Sequence, residues 1–430
     1  GYYPSTWPVE CGGNRRQKAA AGGVHARDAT ADVTTSVNSR WNVMMIRRGE
    51  DELYLGGTMP AFTGPAPFGW MQRLHPETLD VIAESPQLPC RDHVWCGAIA
   101  AHENGDIYKV NGSVMHRLDA GCQVVSECFL PVDQAHNGLL ILSDGSIVTK
   151  DLRLEGQGPS TVTRLSPDGL ELIGEPFALP EGSMGRIASD RSQEGEFIYI
   201  PGIERVWRLR VEPETLRLDA TWSPTYRAPG GDQGLSWDGC LSAGALWLMD
   251  NGDIDSLRAI YGVHPNGRFD EPSDKLSWRR PAPWRGRQRL LRVSLDDGAL
   301  SQVTPFAHDG GGIIAPPVHV PELNLCIAWD SINGGLAGIA TNGDQLKVVW
   351  RIDARPSMQP VVFPETAELV INDFRDGDDQ LIVVDMRTGE VISRVSTGSK
   401  VANGMFLTPG LARDVYYCST FAIARVQWQS

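Results

Sequence analysis

Polar residues that could bind a ligand or carry out catalysis stand directly before and after short apolar runs in this sequence. Those that precede a run are His93, His136, Asn137, Arg186, Asp232, Gln233, His308, Asp309, Gln359 and Asn403. Those that follow a second run are Asn111, Lys150, Asp151, Asp250, Asn251, Asp330, Asn333, Asn372 and Asp373. Carboxylate and amide oxygens suit calcium, whereas imidazole nitrogens suit zinc or iron. Tight turns also favour Asn and Asp, which gives each of these residues an alternative explanation.

Three histidines stand before different runs: His93, His136 and His308. Together they could form a metal triad or supply a general base. Separately, each could be a structural histidine held by hydrogen bonds. The sequence contains no GxSxG, HExxH or GxxxxGK[ST] motif, so the common signatures of serine hydrolases, zinc proteases and P-loop enzymes are missing.

The elements that would bring these residues together are repeated groups of short β-rich runs. "VWCGAIAAHENGDIYKVNGSVMHRLD" (94–119) and "NGLLILSDGSIVTKDLR" (137–153) alternate apolar runs with Asn-Gly or Asp-Gly turns, as β-hairpins do. Units of about 40 to 50 residues with about four strands each are typical of a β-propeller. We predict an all-β chain forming a single β-propeller over residues 1–430, with eight blades favoured and seven or six possible. Two smaller all-β domains are the alternative.

The order of the units predicts how the ring closes and where its polar residues lie. The units begin near Arg40, His93, His136, Arg186, Asp232, His308, Gln359 and Asn403. The stretch 401–427 supplies three strands of the last blade, and the fourth is expected within residues 30–48. A polar insertion, 261–288, is expected to form a loop over one face. Because inner strands start at one face of a propeller, the polar residues are expected around the mouth of the channel.

Composition excludes some partners. The net charge of −14 and pI of about 5.1 argue against a nucleic-acid binder, and no apolar stretch is long enough to span a bilayer. A small-molecule substrate, bound at the channel mouth, is the expected partner, and the oligomeric state is left open. The eight cysteines include two close pairs, Cys90 with Cys96 and Cys122 with Cys128. They are either disulfides, which would favour a periplasmic or secreted protein, or buried thiols.

The repeats resemble those of gluconolactonase and regucalcin-like propellers, in the calcium-dependent phosphotriesterase superfamily. The resemblance rests on "VANGMFLTPGLARDVYYCSTFAIARVQ" (401–427), "AHNGLLILSDGSIVTKDL" (135–152) and "DQGLSWDGCLSAGALWLMDNGD" (232–253). Hydrolases of this group hold a catalytic calcium through one Glu, two Asn and one Asp. The resemblance implies that Asn137, Asn403 and Asp232 are calcium ligands. No Glu matches the family's fourth ligand, and the family's usual ring has six blades.

The function favoured by the sequence is a metal-dependent hydrolase of an ester, lactone or phosphoester bound at the channel mouth. His136 or His308 would be the catalytic base, with calcium on Asn137, Asn403 and Asp232. Substrate contacts are assigned to His93, Arg186, Gln359 and Asp309. The alternatives are a lyase or oxygenase with zinc or iron on the three histidines, a non-catalytic binding scaffold, and a quinone-cofactor dehydrogenase.

Overall fold

The fold is an eight-bladed β-propeller, as the repeats predict. The structure, a computed structural model, describes residues 1–59, 66–228, 230–252, 285–313, 315–400 and 404–429. Within these ranges, strands β1 to β32 form eight antiparallel sheets of four strands each, and two 3-10 turns cover Glu10–Gly12 and Pro321–Leu323. None of the described residues belong to a helix that is long and apolar enough to cross a membrane.

The first half of the ring is built in chain order, apart from strand β1 (Thr30–Val37), which belongs to the last blade. Blade 1 contains β2 (Trp41–Gly49), β3 (Glu52–Met59), β4 (Phe68–Leu74) and β5 (Val81–Glu84). Blade 2 contains β6 (Cys96–Ala101), β7 (Ile107–Asn111), β8 (Val114–Leu118) and β9 (Val124–Phe129). Blade 3 contains β10 (His136–Ile141), β11 (Ile147–Asp151), β12 (Thr161–Leu165) and β13 (Phe177–Ala178). Blade 4 contains β14 (Ala188–Ser192), β15 (Gly195–Pro201), β16 (Val206–Glu212) and β17 (Thr215–Leu218).

The second half follows the same order. Blade 5 contains β18 (Ser236–Ser242), β19 (Ala245–Asp250), β20 (Leu290–Ser294) and β21 (Leu300–Val303). Blade 6 contains β22 (Val318–Val320), β23 (Leu325–Trp329), β24 (Leu336–Asn342) and β25 (Gln345–Ile352). Blade 7 contains β26 (Val361–Phe363), β27 (Glu368–Arg375), β28 (Asp378–Asp385) and β29 (Val391–Ser396). Blade 8 contains β30 (Gly404–Pro409), β31 (Asp414–Ser419), β32 (Ala422–Gln429) and, outermost, β1.

The two ends of the chain close the ring. Strand β1 pairs antiparallel with β32 over its whole length, with Thr30 opposite Gln429 and Val37 opposite Ala422. The outermost strand of blade 8 therefore comes from within residues 30–48, as predicted. Hydrogen bonds between chain ends close the ring without an open edge between the last blade and the first.

Blade 6 starts later than the sequence suggests. Its inner strand begins at Val318, ten residues after His308. The chain between them contains Gly310 and Gly311 with φ of 75° and 100°, so it forms an irregular loop at the mouth and not a strand. The predicted insertion, 261–288, lies outside the described residues except for its last four.

Burial falls from the inner to the outer strands. Every residue of β6 and β10 is buried, because neighbouring blades cover both faces of an inner strand. Strand β9, at the outside of blade 2, alternates between exposed and half-buried residues. The apolar clusters lie between blades; the largest joins Trp247, Trp329 and Trp350 from blades 5 and 6.

The N-terminal segment, residues 1–26, fills the channel from the end opposite the mouth, which the sequence did not reveal. Tyr3 N donates to the carbonyl of Ala101, the last residue of blade 2's inner strand. Further along, segment carbonyls accept from blade amides in the pairs Trp7–Arg47, Asn14–Ser189, Arg15–Leu241 and Lys18–Val362. The segment therefore closes one end of the channel by adding backbone hydrogen bonds to several inner strands.

The cysteines are free thiols. All eight lie in the described residues; seven are buried and Cys128 is half-buried. Neither Cys90 with Cys96 nor Cys122 with Cys128 forms a disulfide. Of the two alternatives left by the sequence, the structure therefore contains buried thiols, and it gives no support for an oxidising compartment.

Candidate functional site

A cavity lies at the mouth, where the inner strands start. Its lining consists of Trp95, Arg186, Trp237, Ala315, Trp329, Ser331, Ser357, Gln359, Met405 and Phe406. The opening encloses about 360 Å³, including space open to solvent, and its water-accessible part is about 20 Å³. The walls therefore lie close together, with room for a water molecule or a thin, flat group between them.

Several inner strands contain a bulge near their start, at the mouth. The register shifts after Cys96 in blade 2, after His136 in blade 3, after Ser236 in blade 5 and after Gly404 in blade 8. In blade 3 the shift coincides with Gly138, whose φ is +82° and whose missing Cβ would lie 3.1 Å from the Cβ of Arg186. The Asn-Gly pair thus serves a bulge that only glycine fits without strain, and that lets Arg186 pack closely.

Arg186 is the charged group of the cavity. Its side chain is only 3% exposed, and its guanidinium lies over the ring of Phe406 at 5.1 Å from Cζ to the ring centroid. Its Nε lies 3.5 Å from Glu10 Oε1 and its Nη1 lies 3.7 Å from Asp238 Oδ2. Neither Nε nor Nη2 has a hydrogen-bond partner. Buried donors of this kind are rare, because an unpaired buried group loses its hydration without compensation.

Below Arg186, an ion network joins the blades to the N-terminal segment. Arg16 Nη1 lies 3.1 Å from Glu10 Oε1, and Arg16 Nη2 lies 3.2 Å from Asp238 Oδ2. All of these side chains are buried, and burial raises the pKa of Glu10 above its usual value. Two guanidinium groups therefore share two carboxylates at the base of the cavity.

Asn137, a predicted calcium ligand, holds a wall of the cavity. Trp95 Nε1 donates to Asn137 Oδ1 at 3.1 Å, and Asn137 Nδ2 donates to the carbonyl of Met184 at 3.2 Å. The side chain is fully buried. Its amide therefore fixes the orientation of the Trp95 indole and ties blade 3 to the turn that precedes Arg186.

None of the three predicted histidines is among the residues that line the cavity. His136 is buried, and its Nδ1 donates to the carbonyl of Gln134 at 2.9 Å. Burial lowers the pKa of His136 to about 4, so its ring is neutral at pH 7. His93 is 25% exposed, and its Nε2 lies 3.3 Å from Asp133 Oδ1.

His308, the other predicted base, forms a pair with Asp330. Its Nε2 lies 2.7 Å from Asp330 Oδ2, its ring is 40% exposed, and it stacks on Phe306. Asp330 is fully buried, and its Oδ1 accepts from the backbone amides of Gly312, Ile332 and Asn333. A fixed carboxylate thus orients an accessible imidazole, and that carboxylate belongs to the residue that precedes Ser331 of the cavity lining.

Of the remaining predicted site residues, one lines the cavity, two are exposed and one lies outside the described residues. Gln359 lines the cavity, and its Oε1 accepts from the Cys11 thiol at 2.6 Å. Asp309 is exposed and accepts from Arg287 Nε at 3.1 Å. Asp232 is exposed in the turn before β18. Asn403 lies outside the described residues.

Several acidic residues at the ends of second strands form ion pairs with arginines. Asp151 pairs with Arg153, Asp250 with Arg289, and Asp373 with Arg375 and Arg394. Burial raises the pKa of Asp250 to about 7. Across the described parts of the chain, no three His, Cys, Asp or Glu side chains are grouped as metal ligands. The three predicted histidines therefore do not form a triad of that kind.

The sequence did not predict the tryptophans that form the cavity walls or the charged residues of the N-terminal segment. Trp95, Trp237 and Trp329 stand in "VWC", "SWDG" and "AWDS", where each follows or ends an apolar run beside a strand boundary. This recurrence was a usable signal for residues that face the channel. Glu10 and Arg16 carried no such signal, because they lie in an irregular segment outside the repeats.

Comparisons with known proteins agree on the fold. No family model and no curated protein sequence matches this chain. The solved structure of BamB from Moraxella catarrhalis is similar, with a TM-score of 0.59 and 12% identity over 93% of this chain and 99% of that one. A europium-containing methanol dehydrogenase gives a TM-score of 0.63 and 11% identity over 96% of this chain and 89% of that one.

A third comparison concerns the resemblance read from the repeats. A putative 6-phosphogluconolactonase from Bacteroides uniformis has a TM-score of 0.47 and 15% identity over 81% of this chain and 96% of that one. That likeness is too weak to support an argument about activity. The comparisons therefore establish the fold alone: this chain is an eight-bladed β-propeller.

Proposed function

We propose that this protein binds a small organic anion at the mouth of its channel and hydrolyses an ester or lactone bond of that compound. The observation that carries the binding step is Arg186, whose buried guanidinium lines the cavity and has two nitrogens, Nε and Nη2, that make no hydrogen bond. A carboxylate would supply the acceptors that these N–H groups lack. Hydrogen bonds between a guanidinium and a carboxylate are stronger than those between neutral groups.

The walls favour a compound with a flat or ring-shaped apolar part. Trp95, Trp237 and Trp329 converge with Phe406 on the same narrow space. Aromatic rings bind flat groups by stacking or edge contacts, which add to the gain from burying apolar area. Because the water-accessible part of the cavity is only about 20 Å³, the ligand is expected to be small and thin.

The local charge permits an anion despite the acidic chain. Arg186 and Arg16 balance Glu10 and Asp238, leaving no net charge from these four groups if all are ionised. Lys150 lies close enough to interact with both Asp238 and Arg186, and burial lowers its pKa to about 7. A bound anion would favour protonation of that lysine, which adds attraction at the site.

The pair His308–Asp330 supports the hydrolytic step. With Nε2–H donated to Asp330, the acceptor nitrogen of His308 is Nδ1, which could take a proton from an attacking water. Asp330 would hold this tautomer and stabilise the imidazolium that forms, as a buried carboxylate does in other His–Asp pairs. His308, whose ring is 40% exposed, is thus the catalytic base of the proposal, in preference to His136, whose ring is fully buried.

Calcium remains a prediction from the resemblance. Of its three predicted ligands, Asn137 uses its amide to hold Trp95 and Met184, Asp232 is exposed, and Asn403 lies outside the described residues. The described residues do not fit the family's ligand set, so no step of the proposed reaction passes through a metal. Elemental analysis of protein purified without chelator would test this prediction separately.

Binding is tested by tryptophan fluorescence, because three indoles line the cavity. Benzoate is the anionic probe, and benzamide is its neutral match. We expect benzoate to change the emission saturably and benzamide to bind at least about tenfold more weakly, since charged hydrogen bonds contribute about 1.5–3 kcal/mol. Arg186→Gln should weaken benzoate binding by a similar factor.

The matched control is Arg191→Gln, which removes an exposed arginine from the same blade. It should bind benzoate like the unmodified protein. Equal binding by the two variants, or no difference between benzoate and benzamide, would contradict the assignment of Arg186.

Hydrolysis is tested with a panel of aryl esters and aromatic lactones. His308→Gln should abolish most turnover while benzoate binding persists, because the base acts on water and not on the bound anion. His75→Gln, which changes an exposed turn histidine, should have no effect. Full activity of His308→Gln would remove this residue from the mechanism, and no turnover with any substrate would leave a binding protein.

A further inference from the structure

Blade 2 contains a lysine whose hydrogen-bond partner is a cysteine. Lys109 of β7 and Cys96 of β6 are both 0% exposed, and the Lys109 Nζ lies 2.7 Å from the Cys96 Sγ. Within the described ranges, no Asp or Glu forms a salt bridge with Lys109. A buried ammonium without a carboxylate is costly, so this amine has an unusual position that packing alone does not explain.

The surroundings favour a neutral amine. The other groups that face the pair are Cys90 and His116. Burial lowers the pKa of Lys109, and burial with the nearby amine keeps the pKa of His116 at about 3. The His116 Nε2 has no hydrogen-bond partner and lies 3.6 Å from the half-exposed Glu127. A neutral Lys109 has a free lone pair on its nitrogen, which lies within contact distance of the Cys96 sulfur.

We propose that Cys96 and Lys109 form a modification site, at which dioxygen joins the sulfur and the nitrogen through one bridging oxygen atom. The thiol loses its hydrogen, the amine loses one of its two, and the product is an N–O–S bridge plus one molecule of water. Dioxygen takes up four electrons, two from the sulfur and two from the nitrogen. One of its oxygen atoms enters the bridge and the other leaves as water, so atoms and electrons balance.

The positions of the two atoms suit this bridge. A separation of 2.7 Å is too long for a direct S–N bond and is spanned by a single oxygen at ordinary S–O and O–N bond lengths. Cys96 also packs in an apolar cluster with Phe406, which lines the cavity. Apolar surroundings of this kind favour dioxygen, which partitions into them, over charged oxidants.

The bridge would restrict the movement of Trp95, which forms one wall of the candidate site. Cys96 directly follows Trp95, and its inner strand β6 pairs with β7, which carries Lys109. A covalent link between them would fix the start of β6 and with it the Trp95 indole. The proposal does not depend on the proposed function, since it concerns a different pair of residues and a different readout.

The test is a peptide map of the full-length protein before and after exposure to air-saturated buffer. Lys109 is the sole tryptic site between Arg91 and Arg117, and trypsin does not cleave at a lysine whose amine is bridged. We expect residues 92–117 to appear uncut, heavier by one oxygen and lighter by two hydrogens. Two equivalents of a dithiol should restore cleavage, yielding the free amine, the free thiol and water.

Two variants sharpen the test. Lys109→Met keeps the thiol and replaces the buried amine with an apolar side chain of similar length, so Cys96 should remain a thiol or advance to a sulfenic acid. Cys418→Ala removes another buried cysteine close to Cys96 and should leave the bridged peptide unchanged. A disulfide from Cys96 to Cys90 or Cys418, oxidation of Cys96 with Lys109 still cleaved, or no reaction at all would overturn the proposal.

Discussion

The buried arginines at the two ends of the channel differ in what surrounds their guanidinium groups. At the closed end, the N-terminal segment adds backbone hydrogen bonds to the inner strands, and Arg16 contacts both Glu10 and Asp238. At the mouth, Arg186 leaves two nitrogens without hydrogen bonds between aromatic walls. Both ends bury a guanidinium, but Arg186 lines the cavity at the mouth, whereas Arg16 is not part of that lining.

This difference distinguishes polar residues that hold the fold together from polar residues that could bind a ligand. Most acidic residues read as potential ligands from the sequence prove to be paired: Asp250 with Arg289, and Asp373 with two arginines. Buried polar groups with complete partners stabilise the fold and offer nothing to a ligand. The residues that point to a ligand site are those with hydrogen-bond donors or acceptors that the protein does not satisfy. Arg186 is the clearest example.

The largest expected effect concerns the closed end. Arg16→Met leaves Glu10 and Asp238 buried with less countercharge, which costs about 3–5 kcal/mol of unfolding free energy for a buried pair. Arg15→Met is the matched control: its partner is Asp190 and its side chain is 53% exposed, so it should cost about 0–1 kcal/mol. Urea denaturation measures the unfolding free energy of both variants. Equal decreases would mean that the buried ion network does not stabilise the closed end of the channel.

The second test concerns a carboxyl on the mouth side. Burial raises the pKa of Asp379 from 3.8 to about 7, and Asn372 links it to Ser357 of the cavity lining. The folded state therefore binds its proton more tightly than the unfolded state. Its contribution to stability is complete below pH 3.8 and is lost as pH rises to about 7, at up to about 1.4 kcal/mol per pH unit.

Asp379→Asn should remove that part of the pH dependence, which urea denaturation at several pH values would show. Asp378→Asn, at a partly exposed neighbour that pairs with Lys400, should keep the slope of the unmodified protein. If the slope is unchanged in Asp379→Asn, this carboxyl is not the group responsible.

A smaller effect tests the bulge that seats Arg186. Gly138→Ala places a methyl group at φ of +82° and 3.1 Å from the Arg186 Cβ, and should cost about 1–3 kcal/mol. Gly156→Ala has nearly the same φ, +84°, with no atom within 4 Å. Only the Gly138 variant should also lose benzoate binding. If both variants lose binding, or neither does, the bulge at Gly138 is not what positions Arg186 for the ligand.

The smallest expected effect concerns Asn137, which holds the Trp95 wall of the cavity in place. Asn137→Ala removes the acceptor of the Trp95 indole and should weaken benzoate binding about fivefold, equivalent to about 1 kcal/mol for one hydrogen bond. Asn342→Ala, at the exposed last residue of β24 in blade 6, should bind normally. A complete loss of binding with Asn137→Ala would instead assign the amide a direct role with the ligand.

The sequence predicted the ring because local signals repeat along it. Turn pairs such as Asn104-Gly105 and Asp144-Gly145 mark hairpins, and the apolar runs between them are buried strands. Ring closure by β1 and β32 follows from an incomplete last unit. The start of blade 6 was misplaced because His308 precedes a glycine-rich loop that carries no strand, and spacing alone does not show this.

The site was predictable only in part. Arg186 and Gln359 were placed at the mouth because they precede inner strands, and both line the cavity. Whether a polar residue is free or paired depends on contacts from other blades, such as Trp95 on Asn137, which no local pattern encodes. The N-terminal segment was missed for the same reason: it contacts several blades without repeating any of their patterns.

The most direct measurement of the central claim is a crystal structure of the protein with 4-bromobenzoate, in which anomalous scattering locates the bromine. The account predicts a carboxylate within hydrogen-bonding distance of Arg186 Nη2, with its ring between the tryptophan walls. Binding at crystal concentration only would be recognised by the absence of a matching effect of Arg186→Gln in solution. A probe bound elsewhere, with the mouth occupied by water alone, would contradict the assignment of this cavity as the ligand site.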